Sequence, residues 1–263
     1  MVNGMIQAFP WDHWKDEFAT GAAHGLHFIE WTLDQERLHE NPLLTPEGQR
    51  EIRALCERHG VGIPSLTGDC FMQAPFWKAG GAREACLKRD FRAVVDACAA
   101  LGISMIVVPL VDNGGIETPE QEDTLVAFLE SLRQSLTEKQ IQIVFESDFV
   151  PGELARFMDR LDPELFGVNY DIGNSAALGY DLAEEMAAYG HRILNIHVKD
   201  RVLGGTTVPL GTGNADLKAA FDAFRQLNYS GNYILQTARA EDNAHADALS
   251  RYRDMVVEWM NGS

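Results

Sequence analysis

Ile141–Phe149, Gly167–Gly173 and Ile193–Asp200 read IQIVFESDF, GVNYDIG and ILNIHVKD, each an apolar run that turns polar at its carboxyl end. Runs this short and this apolar are read as strands whose two faces are both covered, as in a parallel sheet. Working outward, five more runs repeat the pattern at Met5–Phe9, Phe28–Leu33, Gly62–Asp69, Met105–Val111 and Tyr233–Ala238. Amphipathic helical stretches lie between them, so the chain reads as successive βα units. Thr45-Pro46-Glu47 and Thr118-Pro119-Glu120-Gln121 supply helix starts, an N-cap followed by proline at the first helical position, with Gln121 completing a capping box. Gly25, Gly60 and Gly102 follow helical stretches and precede strands, where a left-handed residue ends a helix. Eight such strands predict an α/β fold, the (β/α)8 TIM barrel. A doubly wound open sheet is the competitor, but it would carry a glycine-rich turn after its first strand, and AFPWDHW is not one.

The length of 263 residues suits one such barrel, so residues 1–263 are expected to form a single domain. A formal charge of −17 repels polyanions and argues against nucleic acid as a partner. It leaves small anions possible, because a phosphate answers to nearby donors. No apolar run reaches the roughly 20 residues that span a bilayer, and no secretory leader is evident, so a cytoplasmic protein without membrane contact is expected. Cys56, Cys70, Cys86 and Cys98 lack a CxxC spacing and are expected to be buried free thiols.

Strand carboxyl ends in a barrel face the active-site mouth. Here they present Glu30-Trp31, Glu146-Ser147-Asp148, Asp171 with Asn174, His197 with Lys199, and Gln236 with Arg239. Glu146, Asp171, His197 and Gln236 occupy equivalent ends of four consecutive strands, and neighbouring strands run about 4.8 Å apart, so the four can converge. Two carboxylates, an imidazole and an amide oxygen suit Mn²⁺, with Mg²⁺ or Co²⁺ as alternatives. Taken singly, a strand-end carboxylate is more often a helix cap and a lone histidine a hydrogen-bonded core residue.

The stretches GLHFIEWTLDQERL (25–38), IPSLTGDC (63–70), VFESDF (144–149), YDIGNSAALGYD (170–181), IHVKD (196–200), VPLGTGNADL (208–217) and LNYSGNYILQTAR (227–239) resemble the xylose-isomerase-like TIM-barrel sugar phosphate isomerase/epimerase superfamily. Within it they are most similar to the L-ribulose/L-xylulose-5-phosphate 3-epimerase (hexulose-6-phosphate isomerase) branch. The resemblance runs from about Met5 to Trp259 and is most specific between Asp171 and Gly213. It implies a Mn²⁺-type ion held by Glu, Asp, His and Glu, at the positions of Glu146, Asp171, His197 and Gln236, with the two glutamates serving opposite faces of an enediolate. This chain departs from that pattern at Gln236, whose amide can coordinate an ion but cannot carry a proton near neutral pH. A two-base epimerisation is weakened by the change, whereas a one-base aldose–ketose isomerisation with Glu146 survives it. Asp148, Lys199 or a bound water is the candidate for a replacement acid.

The expectation is therefore a metal-dependent sugar or sugar-phosphate isomerase or epimerase. Glu146 and Lys199 are its catalytic residues, and Glu30, Trp31, Asn174, Arg201 and Arg239 contact the sugar. Gly204-Gly205-Thr206-Thr207 and Gly211-Thr212-Gly213-Asn214 are candidate backbone cradles for a phosphate, and Phe71 is a second candidate apolar wall. A homo-oligomer is implied by the resemblance alone. Two rivals remain. One is a metal-dependent apurinic endonuclease, which the acidic balance disfavours; the other is a non-catalytic or altered-chemistry sugar-binding relative in which Gln236 has replaced a catalytic glutamate.

Overall fold

The computed structural model describes residues 8–240 and 244–262. Seven of the eight expected runs are strands: β1 Phe28–Thr32, β2 Gly62–Thr67, β3 Met105–Leu110, β4 Gln142–Ser147, β5 Phe166–Asp171, β6 Ile193–Val198 and β9 Asn232–Leu235. Between β6 and β9 lies a short antiparallel hairpin, β7 Asp200–Arg201 with β8 Thr207–Val208. The eighth run, Met5–Phe9, falls outside the described residues save for Ala8 and Phe9. The chain divides into two compact units, Met1–Ser147 with Arg160–Phe166 and Asp148–Asp159 with Gly167–Ser263.

In the first unit β1, β2, β3 and β4 lie side by side in chain order, every pairing parallel. Parallel neighbours require a crossover, and helices Pro46–His59, Gly81–Leu101 and Pro119–Glu130 supply it. Their ends follow local chemistry. Thr45 Oγ1 accepts the Gly48 N–H at 3.1 Å, and Thr118 Oγ1 accepts that of Gln121. The Gln121 side chain reaches back to the Glu117 N–H at 2.8 Å, one residue outside the expected capping box. Gly60 and Gly102 end their helices at φ 65° and 73°, a left-handed geometry that side chains resist. Strand interiors are buried on both faces, with Leu66, Ile106, Val107, Val108, Ile143, Val144 and Phe145 at or near zero exposure.

In the second unit β5, β6 and β9 are parallel and adjacent in that order. Tyr170 faces away from Asn169 and Asp171, because successive side chains of a strand alternate. Its hydroxyl, with those of Ser175 and Tyr189, donates to the buried Glu185 carboxylate at 2.8, 2.5 and 2.6 Å. Burial and the nearby Glu185 charge push the Tyr170 and Tyr189 hydroxyls well up from the ordinary phenol value. Phe221, Phe224, Tyr229 and Tyr233 pack edge-on and stacked beneath β9.

Three of the four cysteines are at least partly buried, and no disulfide joins them. Cys86 is exposed, which corrects the expectation that all four thiols are shut away: it lies on an outward-facing turn of the long helix Gly81–Leu101. No described helix is long and apolar enough to cross a membrane.

Candidate active site and metal centre

Asp171 ends β5 and is level with His197 of β6 in the parallel register. Its backbone is still extended, and its Oδ1 accepts the Asn174 N–H at 2.9 Å, so the same residue caps the helix Ile172–Leu178. The cap leaves Oδ2 for other partners. Oδ2 accepts from Lys199 Nζ at 2.6 Å and lies 3.8 Å from His197 Nδ1. His197 is fully buried and Lys199 is 5% exposed. Residues 195, 197 and 199 alternate onto one face of the chain, so Asn195, His197 and Lys199 stand in a row. Gly173 makes room for the lysine stem, since a Cβ there would come within 2.7 Å of Lys199 Cγ.

Glu146 is the penultimate residue of β4 and is buried. Asp171 and His197, both buried, offer a carboxylate oxygen and an imidazole nitrogen 3.8 Å apart within the second unit. Gln236 stands one residue beyond β9, and its N–H donates to Val198 O at 3.1 Å. Because Val198 is level with Leu235, Gln236 is level with Lys199, two residues past His197.

The remaining expected site residues have defined surroundings. Glu30 accepts from Ser65 Oγ at 2.7 Å and from Thr67 Oγ1 at 2.5 Å, so the next strand fixes its carboxylate. Trp31 is buried against Phe9 and Trp14, and its indole N–H donates to Asn41 Oδ1 at 3.1 Å. Phe71 is buried 4.4 Å from the Phe91 ring. Asn174 Oδ1 accepts from Arg201 Nη1 at 2.7 Å, and the same guanidinium donates through Nε and Nη2 to Gly205 O. Arg239 is exposed, beyond β9.

The two candidate phosphate cradles are already engaged within the chain. The Gly211 and Gly213 N–H groups donate to Asp200 Oδ2 at 2.9 and 2.8 Å, and the Ala215 N–H donates to Oδ1 at 3.1 Å. Asp200 is fully buried, so the loop is wrapped around an anion of its own. The Gly204 and Gly205 N–H groups donate to Ala177 O and Val202 O, both at 2.8 Å. Sequence reading passed over Asp200 because it points away from the His197 and Lys199 face. It also passed over Asn169 and Asn195, buried amides within β5 and β6. A polar residue two positions before a candidate ligand, inside an otherwise apolar strand, is the signal that marks each of them.

A family model described as Xylose isomerase-like TIM barrel matches residues 18–255, and the chain belongs to that family. The parallel strands and intervening helices described above are those of a TIM barrel. Among curated proteins the chain is 25% identical to L-ribulose-5-phosphate 3-epimerase UlaE of Escherichia coli, over 90% of this chain and 87% of that one. Among solved structures it superposes on D-allulose 3-epimerase from Methylomonas sp. with a TM-score of 0.75 at 18% identity, covering 93% of this chain and 91% of the other. It also superposes on the IOLI protein with a bound zinc atom, TM-score 0.75, 18% identity, covering 94% and 92%. At these identities the two solved structures share the fold with this chain.

Proposed function

We propose that this protein moves a proton on a small ketose or ketose phosphate, with a divalent cation held by Glu146, Asp171 and His197 and with Gln236 as a further oxygen donor. The observation that carries the reading is the buried Asp171 carboxylate, its Oδ2 3.8 Å from His197 Nδ1 at level ends of β5 and β6. The donor set of oxygen and imidazole nitrogen fits Mn²⁺, our choice, or Mg²⁺ or Co²⁺. Such an ion, when bound, supplies positive charge that makes a C–H beside a carbonyl more acidic. The IOLI structure carries a zinc atom, which supports a metal in this fold. That the chain is an isomerase or epimerase rests on the named activities of its curated relatives.

Glu146 takes the proton from the carbon next to the carbonyl and returns it to the neighbouring carbon on the same face. Lys199 carries three N–H donors, one of them on Asp171, and offers another to a substrate oxygen as charge grows there. Gln236 cannot hold a proton, so inversion at a carbon needs a second acid, which we assign to Lys199 or Asp148. Glu30, Trp31, Asn174, Arg201 and Arg239 hold the sugar. Ser65 and Thr67 orient Glu30 for that task, and Asn174 and Arg201 orient each other. A terminal phosphate, if the substrate carries one, meets Arg239. We place the protein in the cytoplasm as a single-domain homo-oligomer.

Deuterium entry from D2O into a panel of ketoses and ketose phosphates, with Mn²⁺ added, tests the reading. Exchange is expected with at least one sugar, and Glu146→Gln is expected to abolish it. Unchanged exchange in that variant refutes Glu146 as the base. Sugar binding with no exchange in the wild type would establish a non-catalytic relative instead.

A further inference from the structure

Two buried amides precede the site histidine and form a chain of hydrogen bonds with a single sense. Asn195 Nδ2 donates to Asn169 Oδ1 at 2.8 Å, and Asn169 Nδ2 lies 3.1 Å from His197 Nδ1. Asn169 and Asn195 are level partners in β5 and β6, and both are essentially shut off from water. An amide has its acceptor at one end and its donors at the other. Once Asn169 Oδ1 accepts from Asn195, the group facing the imidazole is an NH2 that can only donate. A proton on Nδ1 would set two N–H groups against each other in a buried place.

We propose that Asn195 and Asn169 are positioning residues that hold neutral His197 with its proton on Nε2 and its lone pair on Nδ1. Nδ1 is the ring nitrogen 3.8 Å from Asp171 Oδ2, and its lone pair is the one that Asn169 Nδ2 meets at 3.1 Å. With no proton on Nδ1, that nitrogen would be the one able to hold a cation, in exchange for its hydrogen bond from Asn169. The choice of ligand atom is thereby made before binding, by residues two positions upstream of Asp171 and of His197. The assignment of Nδ1 as a ligand rests on the metal reading above; the tautomer does not.

Nitrogen-15 NMR of chelator-treated protein at pH 8.5 reads the tautomer directly, with the His197 signals among eight histidines identified by their loss in His197→Gln. The wild type is expected to show a protonated Nε2 and an unprotonated Nδ1. A protonated Nδ1 overturns the proposal without any variant being made. Asn195→Asp puts an acceptor opposite Asn169, turning that amide so its oxygen faces the ring, and is expected to move the proton to Nδ1. Mn²⁺ titration by calorimetry should then show affinity falling about tenfold or more. A role confined to packing would leave the tautomer of Asn195→Asp as in the wild type, and that result also refutes the proposal. A wild type with the proton on Nε2 but no Mn²⁺ uptake supports the amide chain and sinks the metal reading.

Discussion

Replacing Gly173 by alanine tests how closely the lysine stem is fitted to the helix that Asp171 caps. A Cβ at this position would meet Lys199 Cγ at 2.7 Å and both Cβ and Cδ at 2.9 Å. Real Cβ atoms do not approach so near, and Lys199 cannot swing clear because its ammonium is tied to Asp171 at 2.6 Å and its side chain is 6% exposed. The contact with Lys199 Cβ adjoins the backbone, so the strand end must shift as well. Overpacking of this kind costs about 1–3 kcal/mol, or roughly a 5- to 150-fold fall in the folding equilibrium. For a chain of this size the urea midpoint would fall by roughly 0.3–1 M. Helix propensity pushes the other way, since glycine to alanine in a helix gains up to about 1 kcal/mol. Gly152 isolates that term: it sits in the helix Pro151–Met158, and a Cβ added there would find no atom within 4 Å, so Gly152→Ala should raise the midpoint. Lys199→Ala in the Gly173→Ala background should recover part of the loss. A Gly173→Ala midpoint equal to or above the wild type refutes the fitted-stem argument.

Further outcomes follow from the same structure. Asp200→Ala removes the acceptor of three loop amides, costing about 1–3 kcal/mol, and hydrogen exchange at Gly211 and Gly213 should speed up before that of β6. Burial raises the thiols of Cys70 and Cys98 and the hydroxyls of Tyr170, Tyr189 and Tyr229 above their ordinary values. Their stabilising contribution is whole below the unfolded values, about 8.5 for cysteine and 10 for tyrosine, and is lost as pH rises toward the folded ones. The melting temperature should therefore decline above about pH 9 and steepen above 10, and a flat profile to pH 11 would count against it. Alkylation at pH 8 should mark Cys86 first and leave Cys70 and Cys98 unmodified until the protein unfolds, as read by mass spectrometry.

Much of the strand plan was legible because both-face burial writes continuous apolar runs such as MIVVPLV. Boundaries were less so. The run Gly167–Gly173 overshoots its strand because Asp171 turns its side chain back onto the Asn174 amide and starts a helix at Ile172. Gly62–Asp69 overshoots likewise, with Asp69 opening the helix Asp69–Gln73. Asp171, His197 and Glu146 could be singled out from their places at strand ends. The employment of the glycine loops could not, because Asp200 finds its amides 11, 13 and 15 residues downstream, a distance over which composition carries no geometry. The direction of the Asn195, Asn169 and His197 bonds was equally hidden, since it depends on strand register rather than on residue type.

The Asp200 loop is furnished from within. With Gly211, Gly213 and Ala215 gathered on one internal carboxylate, and Arg201 clasping Gly205 O and Asn174, backbone order in this stretch does not wait for a guest. Little conformational entropy is left in that backbone to lose. Side chains on its outer face can be exchanged while the scaffold beneath them stays standing, because the amides are held by Asp200 and not by their neighbours.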